Sequence, residues 1–132
     1  MKLKVTWQGG LNFSAENEKG QSFIMGGDGE YPSPMEHVLS AVGGCSSIDV
    51  LLILQKSRQQ VEACECELTA ERAESDPKVF TKIHAHYVVS GSQVGESQVE
   101  RACKLSLEKY CSVALMLNAN VQVTHSFTIQ SV

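Results

Sequence analysis

The stretch that most constrains this chain runs from Ser33 to Leu54, SPMEHVLSAVGGCSSIDVLLIL, and reads as one long helix with a cysteine in its middle. Ser33 suits an N-cap, Pro34 stands where a missing N–H costs nothing, and Glu36 follows the cap by three residues, as a capping box requires. Val38, Val42, Cys45, Ile48 and Leu52 recur at helical spacing. From Val50 to Leu54 the segment is apolar on every side, the pattern of a helix buried in a core. Lys56 and Arg58 complement the dipole at the far end. Glycine costs about 1 kcal/mol relative to alanine in a helix interior. Gly43-Gly44 therefore predicts a compensating close approach of another backbone, or of a substrate, beside Cys45.

Short strands precede this helix. Residues 2–7 alternate polar and apolar side chains, Gly9-Gly10 breaks the run, and Asn12 to Glu16 and Ser22 to Met25 read as two further strands about a turn at Glu18-Lys19-Gly20. Residues 26–32 are a loop by composition, and their glycine spacing matches no nucleotide-binding motif. After the helix, Gln60 to Arg72 and Val79 to Ser90 form a predicted hairpin about Glu74-Ser75-Asp76-Pro77. Val94 to Tyr110 is a second helix with an inward stripe of Val99, Ala102, Cys103, Ser106 and Tyr110, supported by an i,i+4 pair of Glu100 and Lys104. A short apolar turn, Val113 to Leu117, leads to a last strand, Asn120 to Gln130. Strands in groups with helices between them predict an α+β fold with an antiparallel sheet. A length of 132 residues predicts one domain, 1–132.

The net charge is −4 and the eleven basic residues are scattered, so neither nucleic acid nor an anionic membrane is an expected partner. The N-terminus lacks the apolar core of a signal peptide, and no apolar run is expected to cross a bilayer. Five cysteines without a secretion signal point to reduced thiols and a cytoplasmic protein.

Cys64-Glu65-Cys66 and His84-Ala85-His86 fall on the two arms of the hairpin, which brings a Cys2His2 zinc site to mind. Strand alternation opposes it. Ile83, Ala85, Tyr87 and Val89 make one apolar face and Cys64, Cys66, Leu68 and Ala70 the other arm's share of it, so thiols and imidazoles lie on opposite sides of the sheet. No metal is expected. His37 and His125 are isolated and read as structural or exposed. Cys103 fits a buried small hydrophobe, whereas Cys45 beside the glycine pair and Cys111 at a helix end occupy special places.

Pro34 to Cys45, PMEHVLSAVGGC, together with Lys109-Tyr110-Cys111-Ser112-Val113, resembles the OsmC/Ohr superfamily, the osmotically induced and organic hydroperoxide resistance proteins. The resemblance covers essentially the whole chain. It implies an intertwined α+β homodimer, in which antiparallel sheets wrap a long central cysteine-bearing helix and a second helix. Its two sites lie at the subunit interface, and each uses both cysteines. For the peroxidatic members it implies thiolate attack on an organic hydroperoxide by a cysteine like Cys45. A cysteine like Cys111 then resolves the sulfenic acid to a disulfide, and an external dithiol of the lipoyl type restores both. No bound cofactor is implied.

Two supports of that chemistry are altered. Leu11 stands after Gly9-Gly10, where the peroxidases hold an arginine. Met35 stands ten positions before Cys45, where their glutamate aligns, and Glu36 is one residue late. One residue turns a helical side chain by about 100°, and ten residues of helix span about 15 Å, so Glu36 is a candidate for the catalytic carboxylate with helix capping as its competing role. Asp49, at i+4 from Cys45, shares its helix face, and a carboxylate there opposes thiolate formation. Arg58, Arg72 and Arg101 are the candidate replacement cations. Two readings follow: a thiol-dependent hydroperoxide reductase using Cys45 and Cys111, or a non-catalytic binding or sensing protein whose interfacial pocket takes an apolar ligand.

Overall fold

The structure, a computed structural model, describes all 132 residues. They divide into two compact units, Met1–Val38 and Leu39–Val132. The first holds an antiparallel meander of β1 (Leu3–Trp7), β2 (Asn12–Asn17) and β3 (Ser22–Gly26), followed by the first turn of α1 (Pro34–Lys56). The β1–β2 turn uses Gly9 and Gly10 at φ of 101° and 56°, a region glycine enters without steric cost. Trp7 Nε1 closes the turn by donating to the Gly10 carbonyl at 2.9 Å. Ala15 is buried in this unit, while Leu3, Val5, Trp7 and Phe23 remain exposed. The capping box forms as expected: the Glu36 N–H donates to Ser33 Oγ, and the Ser33 N–H donates to Glu36 Oε1, both at 3.1 Å. His37 stacks 4.9 Å from Phe23, and its Nε2 lies 3.2 Å from the Ile24 carbonyl, a structural role.

The second unit carries the rest of α1, then β4 (Gln60–Arg72), β5 (Phe80–Ser92), α2 (Glu96–Leu105), a π-helical turn (Ser106–Tyr110), α3 (Ser112–Leu117) and β6 (Gln122–Ser131). The α+β class holds, and the sheet order is β4-β5-β6. β4 and β5 pair antiparallel, with Cys66 opposite Tyr87 and Glu67 opposite His86. β6 departs from the antiparallel expectation and runs parallel to β5, with Ala85 opposite His125. A parallel partner needs a crossover of a dozen or more residues, which α2, the π turn and α3 supply.

In the second unit α1 buries one face only: Val42, Gly43, Ser46, Val50 and Leu54 point inward. The expectation that Val50 to Leu54 is buried all round is corrected, since Leu52 is 50% and Ile48 62% exposed. Corrected too is the absence of a bilayer-length apolar run. Pro34–Lys56 has the length and composition for one, because Glu36, Asp49 and Lys56 are its only charged residues. Its Val50 and Leu54 nevertheless pack into the core with Tyr87, Val89, Val99 and Ala102. The helix ends in a Schellman turn, in which the Gln59 N–H bonds the Leu54 carbonyl and Arg58 takes a φ of 60°.

A candidate thiol site on the central helix

Cys45 sits in the middle of α1, half-buried, directly after a glycine that packs and a glycine that does not. A Cβ on Gly43 would lie 2.6 Å from Leu68 Cδ1, whereas one on Gly44 meets nothing within 4 Å. The expectation of another backbone or a substrate is corrected: the close approach falls at Gly43 and is made by the Leu68 side chain, while Gly44 faces open space. Cys111 arrives from the other side. It ends the π turn and caps α3, its Sγ accepting the Ala114 N–H at 3.4 Å.

Cys45 packs against the buried core cluster that contains Cys111, close enough to raise the Cys111 pKa. Cys111 is fully buried. That desolvation, followed by the neighbouring Cys45 and the charge it can carry, pushes its pKa up to about 11 against the opposing N–H groups of Ala114 and Val113. Cys111 therefore keeps its proton at neutral pH. Burial also raises Cys103, to about 12, and raises Cys64 and Cys66.

A buried polar network surrounds the pair. Tyr87 donates from its hydroxyl to Ser46 Oγ at 2.6 Å, and Ser46 donates onward to the Gly43 carbonyl at 3.2 Å. Ser106 Oγ lies 3.0 Å from the Ser46 carbonyl and 3.1 Å from Asp49 Oδ2. Asp49 is thereby turned to Ser106. Sequence reasoning placed Ser106 on an apolar stripe and Tyr87 on the apolar sheet face, and gave no role to Ser46; a serine at an inward helical position on each of two helices was the available signal. Tyr110, expected on the same stripe, is 51% exposed.

The remaining candidates are placed elsewhere. Glu36 spends its carboxylate on the helix cap. Leu11 is 58% exposed beside Gly27, and Met35 is half-buried in the first turn of α1. Arg58 forms the C-terminal turn of α1, and Arg72 Nε donates to the Lys78 carbonyl at 2.7 Å. Arg101 lines a groove of about 650 Å³ with Asp49, Leu52, Lys56 and Tyr110. On the sheet, Cys64 and Cys66 pack against the core, while His84 and His86 face away from it. Their rings bond Thr124, Ser126 and Thr128 at 2.6–3.0 Å. The opposed faces read from the alternation hold.

The same architecture recurs in known proteins. Protein YhfA of Escherichia coli K12 is 50% identical over 131 residues, 98% of each chain. The crystal structure of a hypothetical protein from Aquifex aeolicus is 31% identical with a TM-score of 0.91, covering 99% of this chain and 96% of that one. An organic hydroperoxide resistance protein OsmC from Legionella pneumophila shares the fold at a TM-score of 0.74 and 15% identity, covering 97% of each chain. The model of the family described as OsmC-like protein matches residues 27–126. With the cysteine-bearing helix, the second cysteine and strands β4 and β5 all in that span, the chain belongs to the OsmC-like family.

Proposed function

We propose that this chain is a cytoplasmic, homodimeric thiol peroxidase that reduces organic hydroperoxides. The observation that carries the reading is the proximity of Cys45, half-buried on α1, to Cys111, a fully buried free thiol whose pKa Cys45 helps to raise. The Cys45 thiolate attacks the terminal peroxide oxygen, the O–O bond breaks, and the alkoxide takes a proton and leaves as alcohol. Cys111 then attacks the sulfenic acid; its proton leaves with the displaced hydroxide as water, and a Cys45–Cys111 disulfide remains. An external dithiol returns the pair to the reduced state by exchange. The uncovered Leu3, Val5, Trp7, Ile48 and Leu52 support a second copy as partner.

The test is to add one equivalent of an alkyl hydroperoxide to reduced protein, quench within a second and map the thiols by peptide mass, with hydrogen peroxide as comparison. A rapid Cys45–Cys111 disulfide, preferential for the alkyl peroxide, is the expected result. Free thiols at both positions after minutes would reject it. A binding protein is the second reading, favoured by apolar Leu11 and Met35 where the peroxidases hold charged residues. A retained apolar ligand in the native mass spectrum is its signature.

A further inference from the structure

We propose that Ser106 is a positioning residue that holds Cys45 and Cys111 in bond-forming register, an inference that rests on the thiol-pair reading above. Ser106 is fully buried and reaches the α1 turn after Cys45 with its hydroxyl and Cys111 with its carbonyl. Its hydroxyl reaches the Ser46 carbonyl at 3.0 Å and Asp49 Oδ2 at 3.1 Å, gripping the turn of α1 that starts at Cys45. Its carbonyl accepts the Cys111 N–H at 2.6 Å, a bond spanning five residues that defines the π turn. One residue therefore ties the backbone of the resolving cysteine to the helix turn of the nucleophile. Tyr87 braces the same turn from the sheet side through Ser46 Oγ.

The chemistry of the position supports a specific role for the hydroxyl. A small apolar residue would fill this buried site without needing a partner, whereas a buried hydroxyl costs stability unless it is hydrogen-bonded. A serine hydroxyl has one proton, so the Ser46 carbonyl and the Asp49 carboxylate share it as a three-centre bond across the two helices. Closing a disulfide needs two sulfurs already near bonding geometry, and holding reacting groups in place raises their effective concentration steeply. The Ser106 clamp supplies that order in the reduced state, before any oxidant arrives.

The test compares wild type with Ser106→Ala in glutathione redox buffers, reading the Cys45–Cys111 disulfide by peptide mass. Protection of Cys103, fully buried in the wild type, from a thiol reagent reports whether the variant is folded. The expected result is about a tenfold lower equilibrium constant for the disulfide in Ser106→Ala, a shift of about 30 mV for this two-electron couple. After an alkyl hydroperoxide, sulfenic acid at Cys45 should form at the wild-type rate while closure slows about tenfold. Equal equilibrium constants would overturn the clamp. So would a wild type that forms no such disulfide at any glutathione ratio. Because glutathione exchange needs no peroxide, a tenfold gap in a protein that ignores hydroperoxides would reject the peroxidase and keep the clamp. If Ser106→Ala fails to fold, Asp49→Ala removes one arm of the clamp from the half-buried side. About a threefold loss is then expected on the same logic, and no change overturns the proposal.

Discussion

Alkaline pH should unfold this protein through its buried thiols, and Cys103 allows the effect to be isolated. Burial raises the folded pKa from about 9 to about 12 for Cys103 and to about 11 for Cys111. A group whose folded pKa lies above its unfolded value contributes stability that is complete below the unfolded pKa. That stability is lost as pH rises through the folded one. The window therefore opens near pH 9 and closes near pH 11 to 12. Inside it each thiol removes about 1.4 kcal/mol per pH unit, so the two together remove about 2 to 3 kcal/mol between pH 8 and pH 10. Both side chains are fully buried, so little solvent screening applies. Urea unfolding under reducing conditions at pH 8, 9 and 10 measures the slope for wild type and Cys103→Ala. The variant is expected to start less stable, by the cavity it creates, but to lose about 1.4 kcal/mol less by pH 10. Parallel pH profiles for the two proteins would refute the assignment of the raised pKa to Cys103.

The two central glycines should respond differently to the same substitution. Alanine gains about 1 kcal/mol of helix propensity at either site, but at Gly43 its Cβ would lie 2.6 Å from Leu68 Cδ1, and at Gly44 it meets nothing. Overpacking costs about 1–3 kcal/mol, so Gly44→Ala should exceed Gly43→Ala in stability by that amount in urea, and equal values would refute the contact. Arg58→Gly should stabilise by about 0.5–1 kcal/mol in the same assay by relieving a left-handed arginine; a loss would show that Arg58 makes a compensating interaction. Tyr87→Phe deletes the donor to Ser46 Oγ and should cost about 1 kcal/mol.

Period-two patterning was enough to assign the faces of β4 and β5, because alternation is local and one face is buried. It placed Cys64 and Cys66 inward and His84 and His86 outward before any packing was known. Capping chemistry was likewise local, and the Ser33–Glu36 box formed where its spacing put it. What failed depended on distant partners. The all-apolar run Val50 to Leu54 gave no way to tell the face that meets Tyr87 and Val99 from the face that exposes Leu52. Glu100 was paired with Lys104 on its own helix, but it bonds His125 on β6 at 3.1 Å, which also ends the isolation of that histidine. The parallel direction of β6 depends on the path of the whole crossover, so no feature of residues 120–130 could announce it.

The candidate site shows the same division at a single turn. A helix continuing from Ser106 with α periodicity would bring Tyr110 inward four residues later, and the sequence stripe was drawn that way. The π turn inserts one residue into that count. The Cys111 N–H reaches back five residues to the Ser106 carbonyl, Tyr110 is carried outward, and Cys111 takes the buried place. No residue preference marks a π turn, and such turns recur at functional sites in spite of their poorer geometry. Here the widened turn delivers a sulfur to Cys45, satisfies the Ser106 carbonyl and leaves Cys111 as the cap of α3. The motif around Cys111 could therefore be read from the sequence as a family signature. The geometry that lets its thiol meet Cys45 arises only when the helix abandons the period by which the sequence is read.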